Sequence, residues 1–178
     1  SIIVVEEVLS EFNKEILDAL KKNDCDGQGI TNKQNNILLV KQENQDLGFV
    51  GFPKEIDQSI IEKIVSKKKV PVIAPLGLDE NNQVFNINAD TAAGAIAKKL
   101  NARRLIIMSD VEGVLDNDKK LISEINTNKI SELIKNEIIT GGMIPKINNC
   151  LDVANNGVKG VCIIDGRLKH SILYELLS

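Results

Sequence analysis

Two stretches of the sequence combine charged or amide side chains with small residues, and both suggest a binding site. In residues 86–100, NINADTAAGAIAKKL, the amide Asn86 and the acid Asp90 come before a run of alanines around Gly94. Asn88 or Asp90 can cap the helix that this run predicts, because either side chain accepts hydrogen bonds from free backbone N–H groups. Capping alone is one explanation of these residues. The other is that the small residues let a ligand or another backbone approach closely, with Asn86 presenting its amide and Asp90 orienting cations.

The second stretch, GGMIPK, places Lys146 just after a glycine pair, in the first turn of a predicted helix. Glycines before a helix N-terminus leave backbone N–H groups open to an anion, and the helix dipole favours negative charge there. A lysine in that turn is unfavourable by about 0.3–1 kcal/mol unless something negative is nearby. A bound phosphate, with Asp90 close by, would remove the conflict. The alternative is a surface lysine that extends into water.

A third segment, SDVEGVLD (109–116), follows a predicted buried strand and turns at Gly113. Such a strand-to-loop transition is common in nucleotide-binding α/β proteins, although it is weakly specific by itself. The chain contains no G-x-G-x-x-G, no G-x-x-x-x-G-K-[ST] and no G-x-S-x-G motif. Hydride transfer on a dinucleotide, Walker-type phosphate binding and serine hydrolysis therefore lose their main sequence support.

Composition narrows the class of protein further. The chain has 178 residues, of which 43% are hydrophobic and 26% are charged, which is typical of a folded domain. Its net charge of −3 argues against nucleic acid as a partner, and no apolar run approaches the roughly 20 residues of a membrane span. Three separated cysteines and one histidine offer few ligands for a structural metal, and they predict a reducing, cytoplasmic compartment.

Helix and strand patterns alternate along the chain. Helices are predicted at 3–22, 57–69 (with Ile60, Ile61, Ile64 and Val65 facing inward), from a cap at Asn88 or Asp90 through Leu100, and at 128–136, 146–157 and 168–177; a β-type run is predicted at 36–42, and buried strands at 70–77, 104–110 and 160–165. Buried strands separated by helices predict an α/β fold, a three-layer αβα sandwich with a mainly parallel sheet. Ligands bind beyond the carboxyl ends of such strands. The segments that follow the three buried strands, the last of which begins Asp165-Gly166-Arg167, are predicted to lie there.

Six segments, in this order, resemble those of the N-acetylglutamate kinases, within the amino acid kinase family: DLGFVG (46–51), PVIAPLG (71–77), NINADTAAGAIA (86–97), SDVEGVLD (109–116), ITGGMIPK (139–146) and IIDGR (163–167). The resemblance covers nearly the whole chain. It implies the amino acid kinase or carbamate kinase-like fold. It also implies an enzyme that phosphorylates the side-chain carboxylate of N-acetyl-L-glutamate with ATP, a step in arginine synthesis.

The same resemblance implies roles for individual residues. Asn86 would hold the substrate, Asp90 would organise the catalytic lysines, and Lys146 would stabilise charge on the transferring phosphoryl group. The ATP site would be lined by Asp110, Val111, Glu112, Gly113, Val114, Leu115, Ile138, Ile139 and Thr140. Mg²⁺ would arrive with ATP, with no separate protein metal site. The chain would form a homodimer through a helix matching residues 7–21.

Several features of the family are not found in this sequence. The family's phosphate-binding lysine with a glycine pair, its H-G-G-G loop and an arginine for the substrate carboxylate are missing, and LSEFNKE (9–15) and GITNKQNN (29–36) differ from the family versions. We therefore expect a large fragment that is incomplete, weakly active or inactive. Residues 1–75 would be the rest of the substrate-binding lobe and residues 76–178 the ATP-binding lobe. The alternatives are a non-catalytic nucleotide-binding module of the same fold, or another amino acid kinase.

Overall fold

The computed structural model describes residues 1–116, 118, 120–122, 125 and 127–177. The chain divides into two compact units, Ser1–Leu100 and Asn101–Ser178. The predicted lobes, 1–75 and 76–178, are defined by the ligands they would bind, and that division stays a prediction.

The first unit contains three helices and six strands. In chain order they are α1 (Ile2–Lys22), β1 (Gly27–Ile30), β2 (Leu38–Gln42), β3 (Gly51–Ile56), α2 (Gln58–Ser66), β4 (Val70–Ile73), β5 (Leu76–Leu78), β6 (Val84–Asn86) and α3 (Ala89–Lys99). β1 pairs with β4 in parallel, and a second sheet has the order β3-β2-β5-β6. Its central β2–β5 pair is parallel and its outer pairs are antiparallel. The core of this unit is mainly aliphatic and includes Leu38 and Ile87 together with Phe85.

The predicted single strand 70–77 is wrong in one respect, because the run forms two strands in two different sheets. β4 ends at Ile73, and β5 begins at Leu76 beside β2. Pro75 lies between them and has no N–H with which to continue a ladder. Gly77 then fits where a Cβ would lie 2.8 Å from the Leu38 carbonyl oxygen, which explains the glycine at this position.

The buried positions of α1 and α2 differ from those that their apolar residues suggest. On α2, Ile61 and Ile64 are buried as predicted, but Val65 is 54% exposed, so its predicted inward position is wrong. On α1 the buried positions are the polar Glu6 and Asn13. The Asn13 amide donates to the Val72 carbonyl at 2.9 Å, which satisfies the side chain inside the fold.

The second unit is built on one parallel pair of strands. Its elements are β7 (Arg104–Ser109), α4 (Thr127–Lys135), α5 (Met143–Asn155), β8 (Gly160–Asp165) and α6 (Ser171–Leu177). β7 and β8 run in register from Arg104 opposite Gly160 to Ser109 opposite Asp165. α5 ends before Gly157, which has a φ of 99° and so confirms the predicted glycine cap.

The strand pairings confirm the predicted α/β class with a parallel-rich arrangement. Within the described part of the chain, β1–β4, β2–β5 and β7–β8 are parallel, and β2–β3 and β5–β6 are antiparallel. Among the same residues, no helix is both long enough and apolar enough to cross a bilayer.

Candidate functional site

The first group of candidate residues lies at the junction between β6 and α3. Asn86 is the last residue of β6, and its backbone N–H donates to the Phe49 carbonyl at 2.9 Å. Asn88 is the N-cap of α3, because its side-chain oxygen accepts the Thr91 N–H at 3.1 Å. Asp90 is the second residue of the helix and is half-buried. The capping alternative is thereby resolved in favour of Asn88, and Asp90 is not the N-cap.

The small residues of α3 have a packing role. Ala92, Gly94 and Ala97 are the buried positions of the helix, and α3 lies against β3. Small side chains on that face let the helix approach the sheet closely. The small residues were expected to admit either a ligand or another backbone. Their packing against β3 supports the approach of another backbone.

The predicted nucleotide loop follows β7 in the second unit. Asp110 and Glu112 are exposed, whereas Val114 is 6% exposed and belongs to the core. Gly113 has a φ of 131°, and a Cβ there would lie 2.8 Å from a methyl carbon of Leu121. The loop therefore needs glycine at this position because of its backbone conformation.

The second predicted segment of the nucleotide site, residues 138–140, joins the same hydrophobic cluster. Ile139 is 1% exposed and packs in one core with Val114 and Ile147. The structure therefore places the two predicted nucleotide segments against a common core. Thr140 is exposed and Ile138 is half-buried, so these two offer more accessible surface to a ligand than the Ile139 side chain does.

The glycine pair before α5 differs in detail from the predicted anion pocket. Gly141 has a φ of 54°, and neither Gly141 nor Gly142 has an atom within 4 Å of where a Cβ would lie. However, the Met143 N–H donates to the Thr140 carbonyl at 3.1 Å, and the Ile144 N–H to the Gly141 carbonyl at 3.2 Å. These two amides are already used by the turn, which leaves fewer N–H groups for an anion than predicted.

Lys146 is the fourth residue of α5 and is half-buried. It precedes Ile147, which is 6% exposed and anchors the helix in the core. Lys146 and the two nucleotide segments all belong to the second unit, whereas Asn86 and Asp90 belong to the first. Each group is positioned by the strands and helices of its own unit.

The second unit also contains a cavity of about 700 Å³, within the usual size range of small-molecule pockets. Its lining is mainly apolar and comes from the nucleotide loop, α5, β8 and α6; it includes Glu112, Gly113, Val114, Cys150, Cys162, Asp165 and Tyr174. Three predicted nucleotide residues line it, while Ile138, Ile139, Thr140 and Lys146 do not. The apolar run of β8 marked a buried strand in the sequence but gave no sign that it would line a cavity.

Cys162, which lines this cavity, is a poor candidate for a nucleophile. Burial, together with the nearby Glu175, raises the pKa of its thiol to about 11. The thiol also donates to the Leu105 carbonyl at 3.7 Å. Because the thiolate is the reactive form, a thiol with a pKa raised this far suits a structural role.

Asp165, at the carboxyl end of β8, is a buried carboxylate with several hydrogen-bond donors. It is 4% exposed and accepts hydrogen bonds from the Arg167 backbone N–H at 2.9 Å, Nε at 2.9 Å and Nη2 at 2.8 Å. These bonds hold the pKa of Asp165 below its usual range. The D-G-R sequence after a buried strand was the signal for this pair, although the sequence assigned it no role.

Comparisons with known proteins agree on a family. Residues 2–165 match the model of the amino acid kinase family. The chain is 65% identical over all 178 residues to the acetylglutamate kinase of Pelagibacter ubique, and 44% identical over 177 residues to that of Campylobacter fetus. It spans 62% and 63% of the lengths of these two proteins.

A solved structure supports the same fold. The crystal structure of smu.665 from Streptococcus mutans UA159 superposes with a TM-score of 0.85 at 30% sequence identity. The match covers 92% of this chain and 67% of that one.

Proposed function

The chain belongs to the amino acid kinase family, and we propose that it forms part of an enzyme that phosphorylates the side-chain carboxylate of N-acetyl-L-glutamate with ATP. The observation that carries the proposal is the 65% identity over the full length of this chain to an acetylglutamate kinase. The predicted nucleotide residues Asp110 to Leu115 also follow the parallel strand β7, at the end where ligands of α/β proteins bind. The reaction would supply an acyl phosphate for arginine synthesis.

The proposed chemistry is the transfer of a phosphoryl group to a carboxylate oxygen. The acceptor oxygen forms a bond to the γ-phosphorus of ATP, and the bond from that phosphorus to the β–γ bridging oxygen breaks. The bridging oxygen leaves with the electron pair on ADP. A carboxylate is already ionised at neutral pH, so no side chain needs to remove a proton from it.

The residues that we propose for this step act through position and charge. Asn86 holds the acceptor, Lys146 stabilises the negative charge that spreads over the phosphoryl oxygens, and Asp90 orients the cationic side chains. Phosphoryl transfer depends largely on such positioning and electrostatic stabilisation. In this proposal Asp90 affects the reaction by orienting lysines. Its position suits this role, because Asp90 is the second residue of α3 and Asn88 already caps the helix.

We propose that Mg²⁺ arrives with ATP and neutralises part of the phosphate charge. Within the described residues, no group of three or more His, Cys, Asp or Glu side chains is placed to hold a metal. Mg²⁺ prefers oxygen ligands and usually binds through nucleotide phosphates, waters and one or two carboxylates. The exposed carboxylates of Asp110 and Glu112 are of this donor type, so the residues present fit a nucleotide-borne ion.

The proposed enzyme is a homodimer that pairs through α1. A stripe of exposed apolar side chains along this helix supports the proposal: Ile3, Val4, Val8, Phe12 and Ile16. α1 contacts β1, β4 and β6 of the first unit, and its buried residues are Glu6 and Asn13, which are not part of the stripe.

A chimera tests the proposed function. This chain replaces the matching region of the Pelagibacter ubique kinase, and the acyl phosphate is trapped with hydroxylamine as a hydroxamate. We expect ATP-dependent product from N-acetyl-L-glutamate and much less from L-glutamate or L-aspartate. The unmodified Pelagibacter enzyme is the positive control. A folded chimera that is inactive, or that prefers another acceptor, would contradict the proposal.

The chain by itself provides a second measurement. We expect calorimetric titration to give tighter binding of ATP with Mg²⁺ than of N-acetyl-L-glutamate, because the two nucleotide segments share one unit and one core. Nucleotide binding by the chain together with an inactive chimera would instead indicate a non-catalytic nucleotide-binding module.

A further inference from the structure

The turn Asp165-Gly166-Arg167 lies directly beside the start of the predicted nucleotide loop. Asp165 and Ser109 are register partners at the ends of the parallel strands β8 and β7. The Gly166 N–H donates to the Ser109 carbonyl at 2.8 Å, and a Cβ on Gly166 would lie 3.3 Å from that oxygen. The glycine therefore permits a close backbone approach, and the turn and the loop leave the sheet side by side.

Asp165 holds Arg167 by one edge of its guanidinium group. The Nε and Nη2 bonds to the two carboxylate oxygens are 2.9 and 2.8 Å long, and they fix the plane of the group. A guanidinium group carries five N–H donors, and this clamp uses two of them. The Arg167 side chain is 61% exposed, in contrast with 3% for that of Asp165. A buried acid thus positions a cation whose other edge faces solvent.

The surroundings of Arg167 are acidic. Besides Asp165, the carboxylates of Asp110 and Glu112 are close enough to contribute to the raised pKa of Arg167. Both are exposed residues of the predicted nucleotide loop. Without a fixed cation, this loop would present only negative charge to an incoming polyphosphate. Because Asp165 is buried, its pair with Arg167 also contributes to the stability of the turn, so the test of the clamp must separate folding from ligand binding.

We propose that Arg167 is a positioning residue of the nucleotide site, which Asp165 holds beside Asp110 and Glu112 so that the loop accepts the phosphates of a nucleoside di- or triphosphate. The inference rests on the proposed nucleotide-binding function of this loop and adds to it a determinant of selectivity for phosphate charge. Arg167 acts through the electrostatic field at the loop. Its effect should therefore grow with the charge of the ligand.

The experiment titrates the chain with ATP plus Mg²⁺, ADP and adenosine at low and high salt. We expect Arg167→Gln to weaken ATP binding by about 3- to 10-fold at low salt, the range for one or two screened charge contacts. ADP should be affected less and adenosine not at all. The loss should shrink at about 1 M salt, where the Debye length falls to about 3 Å.

Two further variants separate charge from structure. Arg167→Lys keeps the charge and loses the two-bond clamp, so it should retain most of the ATP affinity. Arg103→Gln removes one exposed positive charge next to the opposite end of β7 and should leave ATP binding unchanged. Thermal midpoints establish that each variant is folded.

Three outcomes would overturn the inference. ATP binding by Arg167→Gln equal to that of the unmodified chain would reject it and leave the proposed function intact. Equal losses for ATP and adenosine, or a Lys variant as weak as the Gln variant, would show that the clamp only maintains the fold. An unmodified chain that binds no adenine nucleotide would reject both the inference and the proposed nucleotide site.

Discussion

At the scale of single residues, helix capping and the proposed orientation of lysines belong to different residues at the N-terminus of α3. Asn88 caps the helix through its bond to the Thr91 N–H, and Asp90 lies two positions later. A carboxylate there still interacts favourably with the helix dipole, by about 0.3–1 kcal/mol. Because Asp90 is not the cap, a change of Asp90 to Asn can test its proposed chemical role with a small effect on the helix.

The first prediction concerns Asp90 and Lys146 in the chimeric enzyme. We expect Lys146→Ala to lower turnover by about 10²-fold or more, as the loss of one charged donor to a transition state usually does. Nucleotide affinity should change much less. Asp90→Asn should also lower turnover, and the double variant should lose less activation free energy than the sum of the single variants, because the residues act as a unit. The hydroxamate assay measures all three.

Asn88→Ala is the matched control for this experiment. It should lower the stability of the enzyme while the folded fraction keeps its turnover. A fully active Asp90→Asn variant would return Asp90 to a structural role.

The second prediction concerns the buried acid Glu6. Hydrogen bonding from Asn32, with a further contribution from Lys33, holds the pKa of Glu6 below its ordinary value of 4.5. A carboxyl group whose pKa is lower in the folded state stabilises the fold above its unfolded pKa, and this contribution is lost as the pH falls through the folded pKa. We therefore expect the chain to lose stability from about pH 4.5 downward.

Thermal unfolding of the unmodified chain and of Glu6→Gln between pH 7 and pH 3 measures this effect. The difference between the two melting temperatures should be largest near pH 7 and should shrink toward pH 3. Glu7→Gln is the control, because the neighbouring Glu7 is exposed. A difference that stays constant with pH would contradict the role given to the Glu6 charge.

At the scale of elements, the caps of α2 and α3 use the same device. Asp57 accepts the Ser59 N–H at 3.0 Å at the start of α2, as Asn88 does for Thr91 in α3. Side-chain caps satisfy backbone N–H groups that have no partner within the helix. Both helices pack their buried faces on the core of the first unit, so cap stability contributes to the placement of the predicted acceptor residues.

The third prediction is that Asn88→Ala and Asp57→Ala each lower the free energy of unfolding by about 1 kcal/mol, the usual cost of losing such a cap. Urea unfolding followed by circular dichroism measures the change. Asn155→Ala is the control, because Asn155 is exposed and is the last residue of α5. Equal stability of Asn88→Ala and the unmodified chain would show that the Asn88 cap does not stabilise the fold.

At the scale of the whole molecule, the proposed association of two chains depends on the exposed surface of α1. Its buried polar residues, Glu6 and Asn13, form hydrogen bonds with other segments of the first unit. Its apolar stripe is exposed; Phe12 and Val8, for example, are 56% and 58% exposed. Exposed apolar surface of this kind is typical of a protein interface.

The fourth prediction is that the chain sediments as a dimer and that Phe12→Glu converts it to a monomer. A charge placed in the stripe would have to be buried without a partner when two copies associate. Val65→Asp is the control, because Val65 is exposed on α2, outside the stripe. Analytical ultracentrifugation compares the three proteins. A monomeric unmodified chain, or a dimeric Phe12→Glu variant with a similar dissociation constant, would contradict pairing through α1.

The type of most elements was determined by the sequence alone. The helices matching α1 and α2 and the strands matching β7 and β8 were predicted within a few residues. This is possible because helical periodicity and continuous apolar runs are local properties of the chain. The position of the nucleotide loop after β7 also followed from the predicted order of the elements, whereas β6 was not predicted.

Only the tertiary structure decided which faces and which neighbours these elements meet. The run at 70–77 divides between two sheets. α1 buries Glu6 and Asn13 while it exposes Phe12. Asp165 holds Arg167 beside the loop after β7. Each of these outcomes depends on residues distant in sequence: β1 and β2 for the divided run, Asn32 and Val72 for the polar face, and Ser109 for the turn. The sequence pattern predicts which face of a helix is apolar. Whether that face or the polar face is buried depends on hydrogen bonds from segments distant in sequence.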